Sequence, residues 1–214
     1  MNRYIRLIFY ILALNLLGLS IALIQNTTLG MAPWDALARN FYEGIPIRYT
    51  YLSPLLSIIL ILLAYLINLK KLDFRIIIPI LISTYIGFSI DLALLFVPSV
   101  TELSYIYNYL YLLLAMILIS IGLNVIIYCG YTLPALEYFI QAISNRFNIS
   151  FGKAKLVGEI IAFSLTIIFG FIFNHQSQRF FIGETTIIVL LFIGFFVDLF
   201  KKPIFNILER ILWY

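Results

Sequence analysis

The chain alternates between long unbroken apolar runs and short polar segments. Six runs stand out, at about residues 4–25, 49–69, 74–97, 105–128, 151–173 and 180–200. Each approaches or exceeds the roughly 20 residues that carry an α-helix across about 30 Å of hydrocarbon. In lipid the backbone must satisfy its own hydrogen bonds, and the runs lack the alternation of barrel strands. The pattern therefore predicts an all-α polytopic membrane protein with six transmembrane helices.

Two of the connections keep a helical pattern of their own. After the first run, Gly30 permits a sharp turn, Pro33 suits the first turn of a new helix, and Trp34, Leu37 and Phe41 share one face. After the fourth run, Pro134 opens a second short segment, with Leu136, Ile140 and Ile143 on its apolar side and Glu137, Gln141 and Ser144 on its polar side. Both are expected to be short amphipathic helices, interfacial or re-entrant. Residues 203–214 are expected to form a third, lying on the inner membrane surface and anchored by Trp213 and Tyr214.

Composition agrees with a lipid environment. The chain is 63% hydrophobic and 11% charged, where soluble domains carry about 25% charged residues. The basic residues orient the weave. Arg3, Arg6, Lys70, Lys71, Arg75, Arg146, Lys153, Lys155, Lys201, Lys202 and Arg210 fall on one side of a six-crossing chain, and Arg39, Arg48 and Arg179 on the other. By the positive-inside rule, both termini are expected to be cytoplasmic and the protein a multi-pass component of the cell membrane. The first run is too long for a signal peptide core and no small-residue cleavage site follows it, so it is read as the first span.

A repeated string divides the chain in two. Residues 86–92 read Ile-Gly-Phe-Ser-Ile-Asp-Leu and residues 193–199 read Ile-Gly-Phe-Phe-Val-Asp-Leu. Apolar composition explains the Ile, Phe and Leu matches, but not Gly87 with Gly194 and Asp91 with Asp198 in register. The two short amphipathic segments also fall at matching places, after the first run of each half. Repeat one covers about residues 4–98 and repeat two about 105–202 within a single membrane domain. Each holds three crossings, an odd number, so the halves are expected to be inverted repeats, a common transporter design.

The segment Leu29-Gly30-Met31-Ala32-Pro33-Trp34-Asp35 resembles the Gly-x-Gly-Pro-Trp-Asp signature of the YczE-like bacterial membrane proteins, grouped with the YyaS and YitT proteins. Residues 148–155, with Glu159 just beyond, are similar to that family's second-half segment, and the likeness spans nearly the whole chain. The sequence departs from it in two places. Ala32 replaces the second glycine, and Leu136 and Glu137 stand where the family usually has Arg and Asp, with the proline displaced to Pro134. The resemblance implies an architecture more than a substrate.

Candidate chemistry rests on acids at membrane depth, where ionisable groups cost roughly 2.5–3.5 kcal/mol on insertion scales. Asp91 and Asp198 either reach the interface or cap a neighbouring helix, or they face the bundle interior and bind a proton, cation or amine. Asp35 and Glu137 either stabilise the starts of the short helices, with Asp35 pairing Arg39, or line a substrate cavity. Glu159 has Lys155 one turn earlier as a partner. Asn124 suits an interhelical hydrogen bond. Trp34 is an interfacial anchor or a cavity wall. The helix breaks are assigned to Gly30, Pro33, Pro134, Gly87 and Gly194. One cysteine, Cys129, and one histidine, His175, leave no metal cluster, disulfide or hydrolase constellation. No catalytic residue, cofactor or nucleic-acid partner is expected. The expected function is a small secondary transporter or permease for a small solute. The alternative is a non-transporting regulatory, assembly or substrate-binding subunit, held as a homodimer or beside a partner membrane subunit.

Overall fold

The computed structural model describes residues 3–44, 49–69, 71, 73–173 and 180–212. Arg48, Lys70, His175, Arg179, Trp213 and Tyr214 lie outside the described residues. The elements are α1 (Arg3–Gln25), α2 (Pro33–Gly44), α3 (Tyr49–Ile67), a 3-10 turn at Phe74–Ile76 leading into α4 (Ile77–Leu94), α5 (Tyr105–Cys129), α6 (Ala135–Phe147), α7 (Phe151–Phe173) and α8 (Glu184–Leu212).

Among the described residues, four helical stretches are long and apolar enough to cross a membrane: Arg3–Gln25, Phe74–Leu94, Tyr105–Cys129 and Phe151–Phe173. In α3 the apolar stretch Pro54–Ile67 is shorter, and α8 carries Glu184, Asp198, Lys201 and Lys202 along its length. Their outward faces are strongly apolar, with Leu12, Ile59, Leu81, Phe88, Leu113 and Phe171 all exposed. A soluble protein rarely leaves so much continuous apolar surface in water. The chain is a membrane-type helical protein.

Two expectations are corrected. The C-terminal segment is not a separate surface helix, because α8 runs unbroken through Pro203 to Leu212. Buried Leu208 and a ring contact between Phe205 and Tyr128 of α5 hold that extension against the bundle. Gly87 and Gly194 do not break helices either, since each lies inside one, in α4 and α8.

The packing has an exchange property. α1 and α5 lie side by side at the centre; α1 packs on α4 as α5 packs on α8; α3 packs on α4 as α7 packs on α8. The short helices cross over, with α2 against α7 and α6 against α3. Exchanging α1–α4 with α5–α8 leaves these contacts unchanged.

One glycine pair brings α7 and α8 into backbone contact. A Cβ at Gly152 would overlap the Gly194 carbonyl, and one at Gly194 would overlap the Gly152 carbonyl. One turn beyond Gly194, Asp198 accepts hydrogen bonds from the Gly152 backbone N–H, at 3.0 Å, and from the Ser150 hydroxyl. A carboxylate that accepts from a backbone N–H at a helix start fills one of the positions left unsatisfied there. The Gly-x-x-x-Asp spacing thus has a physical meaning in α8: the glycine admits the neighbouring helix and the aspartate caps it. At Gly87 the corresponding space is open. We therefore expect Gly194→Val to lower the thermal unfolding temperature in detergent markedly. Gly87→Ala should leave stability within about 0.5 kcal/mol.

Candidate functional site

Each short helix begins part-way along the long helices and runs towards an end. α2 follows the second half of α7: Thr166 Oγ1 donates to the Pro33 carbonyl at 3.1 Å, and Phe41 packs on Phe169 and Phe173. α6 lies beside the first half of α7, with Ile140 over Gly158, and ends at Asn148 just before α7 starts. So α2 and α6 run along α7 in opposite directions, away from its middle.

The chain turns at a glycine on its way into each of these helices. Before α2, Gly30 adopts φ +89° and a Cβ there would strike the Gly183 backbone, so only glycine fits. Thr186 Oγ1 donates to the Met31 carbonyl at 2.6 Å, and the Thr185 N–H to the Leu29 carbonyl at 2.9 Å. Before α6, α5 closes on Gly130 at φ +67°, and the Tyr10 hydroxyl donates to the Thr132 carbonyl. The Arg6 guanidinium donates to the Cys129 carbonyl and lies over the Tyr131 ring.

The first backbone hydrogen bond of the two helices is equivalent. The Ala36 N–H donates to the Ala32 carbonyl at 2.9 Å, and the Tyr138 N–H to the Pro134 carbonyl at 2.7 Å. Asp35 and Glu137 therefore both stand three residues after the capping position, where a carboxylate is favoured by the helix dipole. In α6 the Ala135 N–H donates to Ser83 Oγ of α4 at 2.8 Å.

Both starts open on one cavity of about 230 Å³, lined by Trp34 and Asp35 from α2, Leu136 and Glu137 from α6, Lys155 and Glu159 from α7, and Ser57 and Ser83 from α3 and α4. Lys155 Nζ lies 3.2 Å from Glu159 Oε1 and 3.7 Å from Glu137 Oε1. Its side chain is 6% exposed and that of Glu159 is 3% exposed. This corrects the reading of Lys155 as one of the surface cations that orient the chain. It sits on the second turn of α7, on the face covered by α6, with a carboxylate on either side. Asp35 lies within electrostatic reach of Lys155 and Glu159. A second cavity of about 560 Å³ shares Asp35, Ser83 and Ile86 with the first and runs past Arg39, Gly87 and Asp91.

The chain belongs to the family of unknown function DUF6198. The family model matches residues 4–202. No curated protein and no solved structure matches the chain.

Of the residues singled out in the sequence, the structure brings Trp34, Asp35, Glu137 and Glu159 together around Lys155. It does not bring Asp91 and Asp198 to that place. Asp198 caps α7 and Asp91 lines the second cavity. Asn124 is bound between helices, its Nδ2 donating to the Val197 carbonyl of α8 at 2.8 Å. Sequence reasoning missed Ser83, Thr166 and Asn40, whose Nδ2 donates to the Thr166 carbonyl at 3.1 Å. A lone hydroxyl or amide in an apolar run marks such tethers only weakly. Among the described residues no group of three or more His, Cys, Asp or Glu is placed to hold a metal ion.

Removing one partner of a buried ion pair typically costs 3–5 kcal/mol, because the other charge is left uncompensated. We expect Lys155→Met to lower the unfolding temperature strongly in detergent. The triple change Lys155→Met, Glu137→Gln, Glu159→Gln should recover much of that loss.

Proposed function

We propose that the chain is a small secondary transporter or permease for a small solute, with its binding site in the central cavity. The observation that carries this reading is the meeting of the α2 and α6 starts on one cavity that holds the buried ion group. Transporters with inverted repeats place their sites near the bilayer midplane, between discontinuous helices whose N-termini point at the substrate. α2 and α6 fit that description if α3 and α8 also cross. α3 has 19 residues, enough for about 28 Å at 1.5 Å per residue. That gives six crossings as two inverted three-helix repeats, with both termini cytoplasmic. The exchange of packing partners between α1–α4 and α5–α8 supports the repeat, and the matching positions of Asp35 and Glu137 support it independently.

The YczE-like grouping is part of the same reading, carried by the segment around Pro33-Trp34-Asp35. In the structure this is the segment that starts α2 and lines the cavity. An intramembrane ionisable residue marks a functional site by default, with its partner named. Here the named partners are Lys155, Glu137 and Glu159.

Proteoliposomes containing the purified protein should show saturable counterflow with at least one member of a broad library of radiolabelled small solutes. Glu159→Gln and Asp35→Asn should reduce that flux by about tenfold or more. Phe171→Leu, on the exposed apolar surface, should leave it unchanged. Absence of counterflow across the library would remove the transport reading and favour a non-transporting membrane subunit.

A further inference from the structure

The central cavity carries a charge imbalance that its own residues do not resolve. Three carboxylates, Asp35, Glu137 and Glu159, line it with one ammonium, Lys155. Three negative charges against one positive leave two in excess when all are ionised. Low dielectric and like-charge repulsion both favour the uptake of a cation by such a group.

Two atoms in the same wall are left without partners. Lys155 engages the Oε1 atom of Glu159, while Oε2 is buried with no hydrogen bond. The Glu159 side chain is 3% exposed, so bulk solvent does not reach it. An unsatisfied buried acceptor costs about 1–3 kcal/mol, more when it is charged. The indole N–H of Trp34 is also buried without an acceptor. Apart from these polar groups the walls are largely aliphatic, including Leu17, Leu60, Ile86 and Ile193. The volume of about 230 Å³ admits about eight water-sized groups at ~30 Å³ each.

The complementary solute has a donor-bearing cation at one end, one acceptor, and an aliphatic body. We propose that the cavity binds a small primary amine with an apolar body and one hydrogen-bond acceptor, its ammonium on Glu159 Oε2 and its acceptor on Trp34 Nε1. Binding of the amine stands on the cavity alone; its passage across the membrane rests on the transport reading. A metal ion fits less well, because these carboxylates are not grouped to ligate one. A carboxylate or phosphate solute would meet the acidic excess. The two helix N-termini that would otherwise attract it already hold Asp35 and Glu137 in their first turns.

The test is calorimetric titration of the full chain in lipid nanodiscs with probes of similar aliphatic skeleton: leucinol, isohexylamine, isohexanol, isocaproate and leucine. Leucinol and isohexylamine should bind, with the alcohol, the acid and the zwitterion at least about tenfold weaker, as expected for loss of a charged hydrogen bond. Glu159→Gln should weaken both amines about tenfold. Trp34→Phe should weaken leucinol about threefold or more and leave isohexylamine, which has no acceptor, unchanged. If Glu159→Gln does not fold, the wild-type ligand series and Trp34→Phe still decide the question. Equal or tighter binding of isohexanol, isocaproate or leucine, or failure of both amines to bind, overturns the proposal. Leucinol counterflow in proteoliposomes separates the two readings. Amine binding without flux removes transport and keeps the amine site. Flux of a non-amine solute without amine binding removes the amine site and keeps transport.

Discussion

The structure depends on a buried ammonium. Lys155 lies between Glu137 and Glu159, at 3.7 and 3.2 Å, in a bundle whose outer faces are aliphatic and aromatic. Taking an ammonium from water into such a place costs several kcal/mol, and only close, well-placed carboxylates offset it. One of these carboxylates comes from α7 itself, the other from the first turn of α6. The ion group therefore ties the start of a short helix to the interior of a long one. If that short helix moved to the surface, Lys155 would lose Glu137 and keep Glu159 alone of the two.

The remaining tethers answer the same constraint. A helix that starts inside a bundle presents N–H groups that nothing in lipid will satisfy. Ser83 receives one from α6, and the starts of α2 and α6 each carry a carboxylate in the first turn. Thr166 and Asn40 fix α2 against α7. The non-helical segments leading in from α1 and α5 are pinned by side chains from the opposite half: Thr186 on Met31, Tyr10 on Thr132. Each half of the chain thus positions the other's short helix. The halves also differ where the last two long helices of each meet. Gly194 is in backbone contact with Gly152, while Gly87 has open space beside it and borders the larger cavity that reaches Asp35.

Much of the architecture is legible in the sequence because apolar run length and proline position are local signals. The runs at 105–128 and 151–173 agree with α5 and α7 to within a residue. The short helices begin at Pro33 and just after Pro134, because proline has no N–H to lose at a helix start. The last apolar run begins ahead of α8, since residues 180–183 form a bent, non-helical segment, with Phe181 at φ +55°, that packs against Leu29 and Gly30 through Gly183. The site is legible only in part. Asp35, Glu137 and Glu159 are visible as acids at odd depth, but Lys155 reads as one more cation at a helix start. Asp91 and Asp198 draw attention by repeating, whereas in α8 the repetition serves helix packing and capping. What separates the two cases is which residues meet across the bundle, and spacing along the chain does not encode that.

The central claim is that α6 starts inside the bundle, against the middle of α4, and does not lie on its surface. Paired cysteines test it directly. In a Cys129→Ala background, Ser83→Cys with Ala135→Cys joins two residues in hydrogen-bond contact, and mild oxidation in native membranes should link them nearly completely. Ser83→Cys with Phe147→Cys, at the far and exposed end of α6, should remain unlinked. Efficient linkage of 83 to 147, with none between 83 and 135, would contradict the account.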